Sequence, residues 1–234
     1  MEIITISLAP VAIIAFYIWS CDKYEREPVK LILTAMLLGA AIAVPVVFVE
    51  HIISQSGSFF TGAAASFWNA FVVAAFTEES FKFLVLWLLI LKSPEFNDKY
   101  DGIVYATFVS LGFAGVENIL YVADSGYVTG LMRAFTAVPA HAIFGITMGF
   151  YFGMAKFYPY ERRSLKAKSL LIPILLHGIY DFILMTETEW LWIVFIGFVI
   201  FLYTSGFKRI KTLSRHSYFR TDFDLLNEKF NRGD

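Results

Sequence analysis

Residues 63–91 read AAASFWNAFVVAAFTEESFKFLVLWLLIL, and the only charged side chains in that run are Glu78, Glu79 and Lys82. A helix needs roughly 20 mostly apolar residues to cross a hydrocarbon layer, and this stretch exceeds that. A charge held mid-bilayer costs about 2.5–3.5 kcal/mol even on lenient insertion scales. Three such charges must therefore face one another, other polar groups or water, not lipid. Glu78 and Lys82 are four apart and share a helix face, and Glu79 lies one turn from Lys82. With two carboxylates in succession, at least one turns toward a bundle interior at almost any helix rotation.

The rest of the chain repeats this pattern of long apolar runs with rare internal charges. Of its 234 residues, 58% are hydrophobic and 17% charged, with a mean hydropathy of +0.63. Soluble domains carry about 25% charged residues. The composition predicts an all-α, polytopic transmembrane bundle of about seven spans, near 3–20, 29–50, 63–91, 101–123, 127–157, 168–186 and 188–206. The third and fifth are long enough to be tilted or kinked. The first run has no basic lead-in and no small-residue cleavage site, so it reads as a retained anchor. Residues 1–206 form the expected membrane domain and 207–234 a charged cytoplasmic tail. A net charge of −1 gives no basic field for nucleic acid. Cys21 is the single cysteine, so no internal disulfide forms.

Seventeen of the 19 lysines and arginines fall on alternate loops: 21–30, 92–99, 156–168 and the tail. The intervening loops near 51–62, 124–126 and 187 hold none. By the positive-inside rule this predicts the N-terminus outside and the C-terminus in the cytoplasm. The two remaining are Lys82, mid-span, and Arg133, which is expected to snorkel outward.

Further polar groups interrupt the other spans: Glu117 and Asn118 in GFAGVENILY, His141 two residues after Pro139, and His177 and Asp181 in LLHGIYDF. His177 and Asp181 are again four apart. Four carboxylates against Lys82 leave an excess of three negative charges. Raised carboxyl pKa values, charged histidines or a bound divalent cation would relieve it. Each is a device that hydrolytic chemistry uses. The residues lie in the middle and outer half of the membrane, which points to a hydrated cavity opening outward. Proline near each histidine suits a bend beside such a cavity, and Gly145, Gly149 and Gly153 read as a close-packing seam. No HExxH, GxSxG or paired-aspartate signature occurs. Four readings stay open from the residues: water activated by a glutamate base; zinc held by Glu78, Glu117, His141 and His177; a transporter relaying protons through the acids; and a non-catalytic scaffold for single-pass helices.

The order of motifs is itself informative. Glu78-Glu79-x-x-Lys82, Phe113-x-x-x-Glu117-Asn118, His141 and His177-x-x-x-Asp181, preceded by Tyr24-x-x-Glu27-Pro28, resemble the PrsW family of the CAAX-protease-like superfamily. The resemblance runs from near the N-terminus to the sixth span. It implies a glutamic-type intramembrane endopeptidase of the bacterial cell membrane, without a cofactor. The implied substrate is a single-pass membrane protein such as an anti-sigma factor. A site-1 cut outside the membrane core would begin the regulated intramembrane proteolysis that activates a sigma factor in a stress response. Glu78, Glu79 and His177 would be catalytic. Lys82 would keep a glutamate ionised, Asp181 would align His177, and Glu117 together with the pair His141 and Asn118 would support the reaction.

Overall fold

The computed structural model describes residues 2–91, 93–186, 188–217 and 219, and among these it contains helices and turns only. Helix α1 spans Glu2–Cys21 and α2 Val29–Ser56. A third rod starts as α3, Ala63–Phe67, passes through a π-helical stretch, Trp68–Ala75, and continues as α4, Phe76–Ile90. Then come α5, Lys99–Phe135, α6, Ala137–Phe157, a 3-10 turn, Pro159–Glu161, α7, Arg162–Met185, and α8, Leu191–Arg215. Five continuous helical stretches are long and apolar enough to cross a membrane: Ile3–Cys21, Val29–Ser56, Lys99–Phe157, Pro159–Met185 and Leu191–Arg215. The chain is a multi-pass membrane protein. Helix α8 continues to Arg215, so the first part of the segment expected as a tail is helical. Residues 220–234 lie outside the described residues, as do Lys92 and the tail cations Arg220, Lys229 and Arg232 of the loop-charge count.

Helix α5 is the axis. Every residue from Lys99 to Gly115 is buried, the mark of a helix enclosed on all sides. Its start is fixed by a capping box: the Asp98 carboxylate accepts from the backbone N–H groups of Lys99 and Tyr100, and Asp101 accepts from the Asp98 N–H. Helices α1, α2 and α8 form the outside and turn leucine, isoleucine and phenylalanine outward, as a lipid-facing surface does.

The α5–α6 seam explains the GxxxGxxxG spacing. A Cβ on Gly149 would lie 2.1 Å from the Gly102 carbonyl oxygen, and one on Gly153 would lie 2.1 Å from that of Lys99. The two backbones touch, antiparallel, and only glycine fits between them. The expected fifth span, 127–157, is divided. Gly126 adopts φ 83°, a conformation that glycine takes freely. The 127–135 arm therefore folds back, bringing Gly130 against Val122 of the helix it has just left. A second break falls at Thr136. Pro139 is not a mid-span bend: it sits in the first turn of α6, where its missing N–H matters least. Tyr203 donates instead to the Phe135 carbonyl that a helical residue 139 would have engaged, at 3.1 Å.

At the far end of α5 the 22–28 loop is folded onto the helix start. The Asp22 carboxylate accepts from the Glu27 N–H at 3.2 Å, Asn97 donates to Glu25 at 2.9 Å, and Tyr105 donates to Glu27. Burial pushes the Glu27 carboxyl up to about 9, with the Asp101 charge adding to the rise.

Replacing Gly149 with leucine should separate α5 from α6 and lower the thermal unfolding midpoint in detergent by several degrees or abolish folded yield. Gly197→Ala, on open helix surface, should leave the midpoint within about a degree of the native chain.

Candidate active site

The π-helical stretch shifts the register of the third rod just before its charged residues; π turns recur at functional sites. Beyond it, Glu78, Glu79 and Lys82 all turn inward. Glu79 and Lys82 expose none of their surface, and Glu78 exposes 5%. The Lys82 ammonium donates to Glu79 Oε1 at 2.8 Å and Glu78 Oε2 at 3.0 Å, and its third contact is His141 Nδ1 at 3.1 Å. An ammonium has no lone pair, so His141 Nδ1 accepts and the ring proton sits on Nε2. Nε2 lies 2.7 Å from Glu117 Oε2.

His177, on α7, is arranged alike. Its Nδ1 lies 3.0 Å from Glu79 Oε1 and 4.0 Å from Glu78 Oε2, while its Nε2 lies 3.2 Å from Asp181. Phe144 stacks on the ring with centroids 4.9 Å apart, and the His141 ring meets it edge-on at 5.2 Å. Both imidazoles thus point Nδ1 at the glutamate pair and keep a carboxylate behind Nε2.

Above this cluster lies a cavity of about 860 Å³. Glu78, Glu117, His141, His177 and Asp181 line it, and its walls reach the bundle end formed by Glu50 of α2, the 127–135 arm and Met185. That end carries the loops without lysine or arginine. Glu79 lies beneath the cavity floor and is not part of its wall.

Two expectations need correction. Arg133 does not snorkel outward. Its Nη2 lies 3.0 Å from Glu117 Oε2, its Nε donates to Asn118 Oδ1 at 2.9 Å, and its guanidinium covers the Tyr121 ring at 3.9 Å. The fold-back at Gly126 brings it there, and it returns one of the missing positive charges. Asn118 does not act with His141. It is fully buried and ties α1 to α5, its Nδ2 donating to the Ser7 carbonyl at 3.0 Å. Glu50 was not singled out from sequence. It ends an apolar run, where an acid reads as interfacial, yet it lines the cavity and its Oε1 is buried without a partner.

A sequence profile described as PrsW family intramembrane metalloprotease matches residues 27–205. The chain belongs to the PrsW family. It is 36% identical over 210 residues to "Protease PrsW" of Geobacillus kaustophilus, covering 90% of this chain and 91% of that protein. It is 35% identical over 223 residues to that of Clostridioides difficile, 93% of each. The Bacillus subtilis protein is 36% identical over 210 residues, 89% of this chain and 94% of its own. No solved structure matches.

The description of the PrsW profile implies a metal, and the cluster fits one. Glu78, Glu79, His141 and His177 each offer a ligand atom, all within 4.8 Å of one another. Two imidazole nitrogens and two carboxylate oxygens form a donor set that suits zinc. Carboxylates behind both rings match the support that metal-bound histidines receive. Glu79 Oε2 is buried without a hydrogen-bond partner, and the Lys82 ammonium stands among the donors as a cation would. The zinc set expected from sequence contained Glu117; here Glu117 stands behind His141 and Glu79 takes its place.

Lys82→Met would leave Glu79 buried beside His177 without its cation, and breaking a buried ion pair this way costs about 3–5 kcal/mol. The variant should lose most folded yield in detergent. Adding Glu79→Gln should restore part of it, measured by thermal unfolding.

Proposed function

We propose that this chain is an endopeptidase of the bacterial cell membrane that cuts a single-pass membrane protein, such as an anti-sigma factor, on its extracytoplasmic side. The observation that carries the reading is a buried glutamate pair, Glu78 reaching the cavity and Glu79 beneath it, with lysine and two carboxylate-backed histidines at the floor of one large cavity. Family membership supplies the class of reaction, and the relatives are named proteases.

The geometry supports a division of labour within the pair. Glu78 reaches the cavity and accepts a proton from a water that attacks the substrate carbonyl. Glu79, held by Lys82 and His177, fixes the imidazole. His177, held between Glu79 and Asp181, stabilises the oxyanion or protonates the leaving amine once one of its N–H groups turns from its carboxylate to the substrate. His141 and Arg133 set the position of Glu117 on the opposite wall. Residues 1–206 are the catalytic membrane domain in this reading, with seven crossings, the N-terminus outside and the cavity mouth facing out. The charge alternation and the cation-free loops around that mouth support it.

A metal-dependent route is favoured by the four clustered donors. A zinc ion there would polarise the carbonyl and lower the pKa of a bound water. Metal analysis of the purified chain separates the two routes: stoichiometric zinc with chelator-sensitive cleavage supports the metal route, and cleavage by metal-free protein supports the glutamic one.

Glu78→Gln, Glu79→Gln and His177→Asn should each lower cleavage of a co-expressed single-pass substrate by about 100-fold or more while leaving folded protein. Full cleavage by all three would end the protease reading. In a Cys21→Ser chain, Thr136→Cys at the cavity wall should react with an impermeant maleimide from outside intact cells. Reaction only from the cytoplasmic face would reverse the orientation.

A further inference from the structure

We propose that Glu25, Glu27 and Asp101, at the end of the bundle opposite the catalytic cavity, form a second site that binds a hard divalent cation such as Mg²⁺ or Ca²⁺. The site is separate from the protease cluster. Asp101 precedes Glu117 by sixteen residues along α5, roughly 24 Å at 1.5 Å per residue.

One carboxylate oxygen from each of the three residues lies within 4.8 Å of the others. The donors are all oxygen, which selects hard cations over zinc. Glu27 is 3% exposed and Asp101 2%, so these acids are withdrawn from bulk water. Among the described residues, no lysine or arginine lies within ion-pair distance of them, and the Lys156 charge acts on Asp101 only from farther off. The cations nearby are turned elsewhere: Arg26 lies over the Trp19 ring at 4.4 Å, and Lys156 donates to the Phe96 carbonyl. Glu27 Oε1 and Glu25 Oε2 are buried without a hydrogen-bond partner.

An observation outside the acids points the same way. A cavity of about 10 Å³ adjoins the cluster; Asp22, Glu25, Asp101, Tyr100 and the exposed Lys23 border it, and Glu27 lies outside its wall. That volume is close to the space of one water-sized particle. Tyr100 is 3% exposed, and its hydroxyl is buried without a partner. A cation among the three carboxylates, carrying one water into this space, would satisfy the Tyr100 hydroxyl and the open carboxylate oxygens together. It would clamp the 22–28 loop to the start of α5, the helix on which Glu117 and Arg133 are carried.

The test uses the full chain in detergent with Glu78→Gln present, so that the protease cluster is weakened as a competing site. After chelator treatment, Mn²⁺ is titrated and free ion followed by electron paramagnetic resonance. One Mn²⁺ per chain should bind, be displaced by excess Mg²⁺ or Ca²⁺, and bind at least about ten-fold more weakly when Glu25→Gln or Glu27→Gln is added. Glu25 is only part-buried, so Glu25→Gln keeps the test available should Glu27→Gln fail to fold. Absence of bound Mn²⁺, or binding unchanged by Glu25→Gln, would overturn the proposal; the carboxyl groups would then be held by shared protons alone.

Discussion

A lysine with no exposed surface governs the structure. Lys82 brings a positive charge into a bundle whose solvent is lipid, and it is tolerated only because Glu78, Glu79 and His141 occupy its three donor directions. Each partner is in turn committed. Glu79 also meets His177, and His141 also meets Glu117. The arrangement is a closed network in which no member moves alone, and it joins α4, α5, α6 and α7. Helix packing must serve it: the close α5–α6 seam, which leaves no room for a Cβ at Gly149, holds these two helices of the network together.

The polar groups of the bundle are segregated along α5. One end carries the network and cavity, the other carries the 22–28 loop with its acids, and between them α5 is almost wholly apolar and fully enclosed. That separation leaves an apolar stretch between the cavity and the opposite end of the bundle. It also means that the two acid clusters answer different problems. The first contains its own cations, Lys82 and Arg133. The second has no lysine or arginine within ion-pair distance among the described residues, and the proposed external cation would complement it there.

Much of this was legible in the sequence because lipid makes charge expensive. Glu78, Glu79, Lys82, Glu117, His141, His177 and Asp181 stand out against apolar runs, and the structure brings all seven together. The i, i+4 pairing of His177 with Asp181 gave a contact that spacing alone implies. What could not be read depends on where the backbone breaks. Arg133 reaches Glu117 only because Gly126 reverses the chain and Thr136 breaks it again, and a glycine near a loop does not announce that path. Glu50 and the Glu25–Glu27–Asp101 group sit at the ends of spans, where an acid is cheap, so sequence offers no energetic signal for them. Asn118 was grouped with His141 because both are polar and mid-span, but its amide is used up on Ser7 and Arg133.

Lys82 also bears on the choice between water activated by carboxylate and water activated by metal. An ammonium and a divalent cation draw on the same oxygens, those of Glu78 and Glu79, and on the same Nδ1 of His141. With the ammonium in place, Glu79 is saturated on one oxygen, and Glu78 is the carboxylate left facing the cavity. That geometry serves a general base directly. A metal held by the same donors would compete with the ammonium for them, and the Phe113 ring, 4.3 Å from the ammonium, is a further face open to the lysine. An aromatic face can hold a cation but returns only a fraction of what two carboxylates supply. The cost of displacing Lys82 therefore counts against metal binding, and the four-donor fit counts for it. The glutamic route needs no such rearrangement of the network, so the two routes make opposite demands on Lys82.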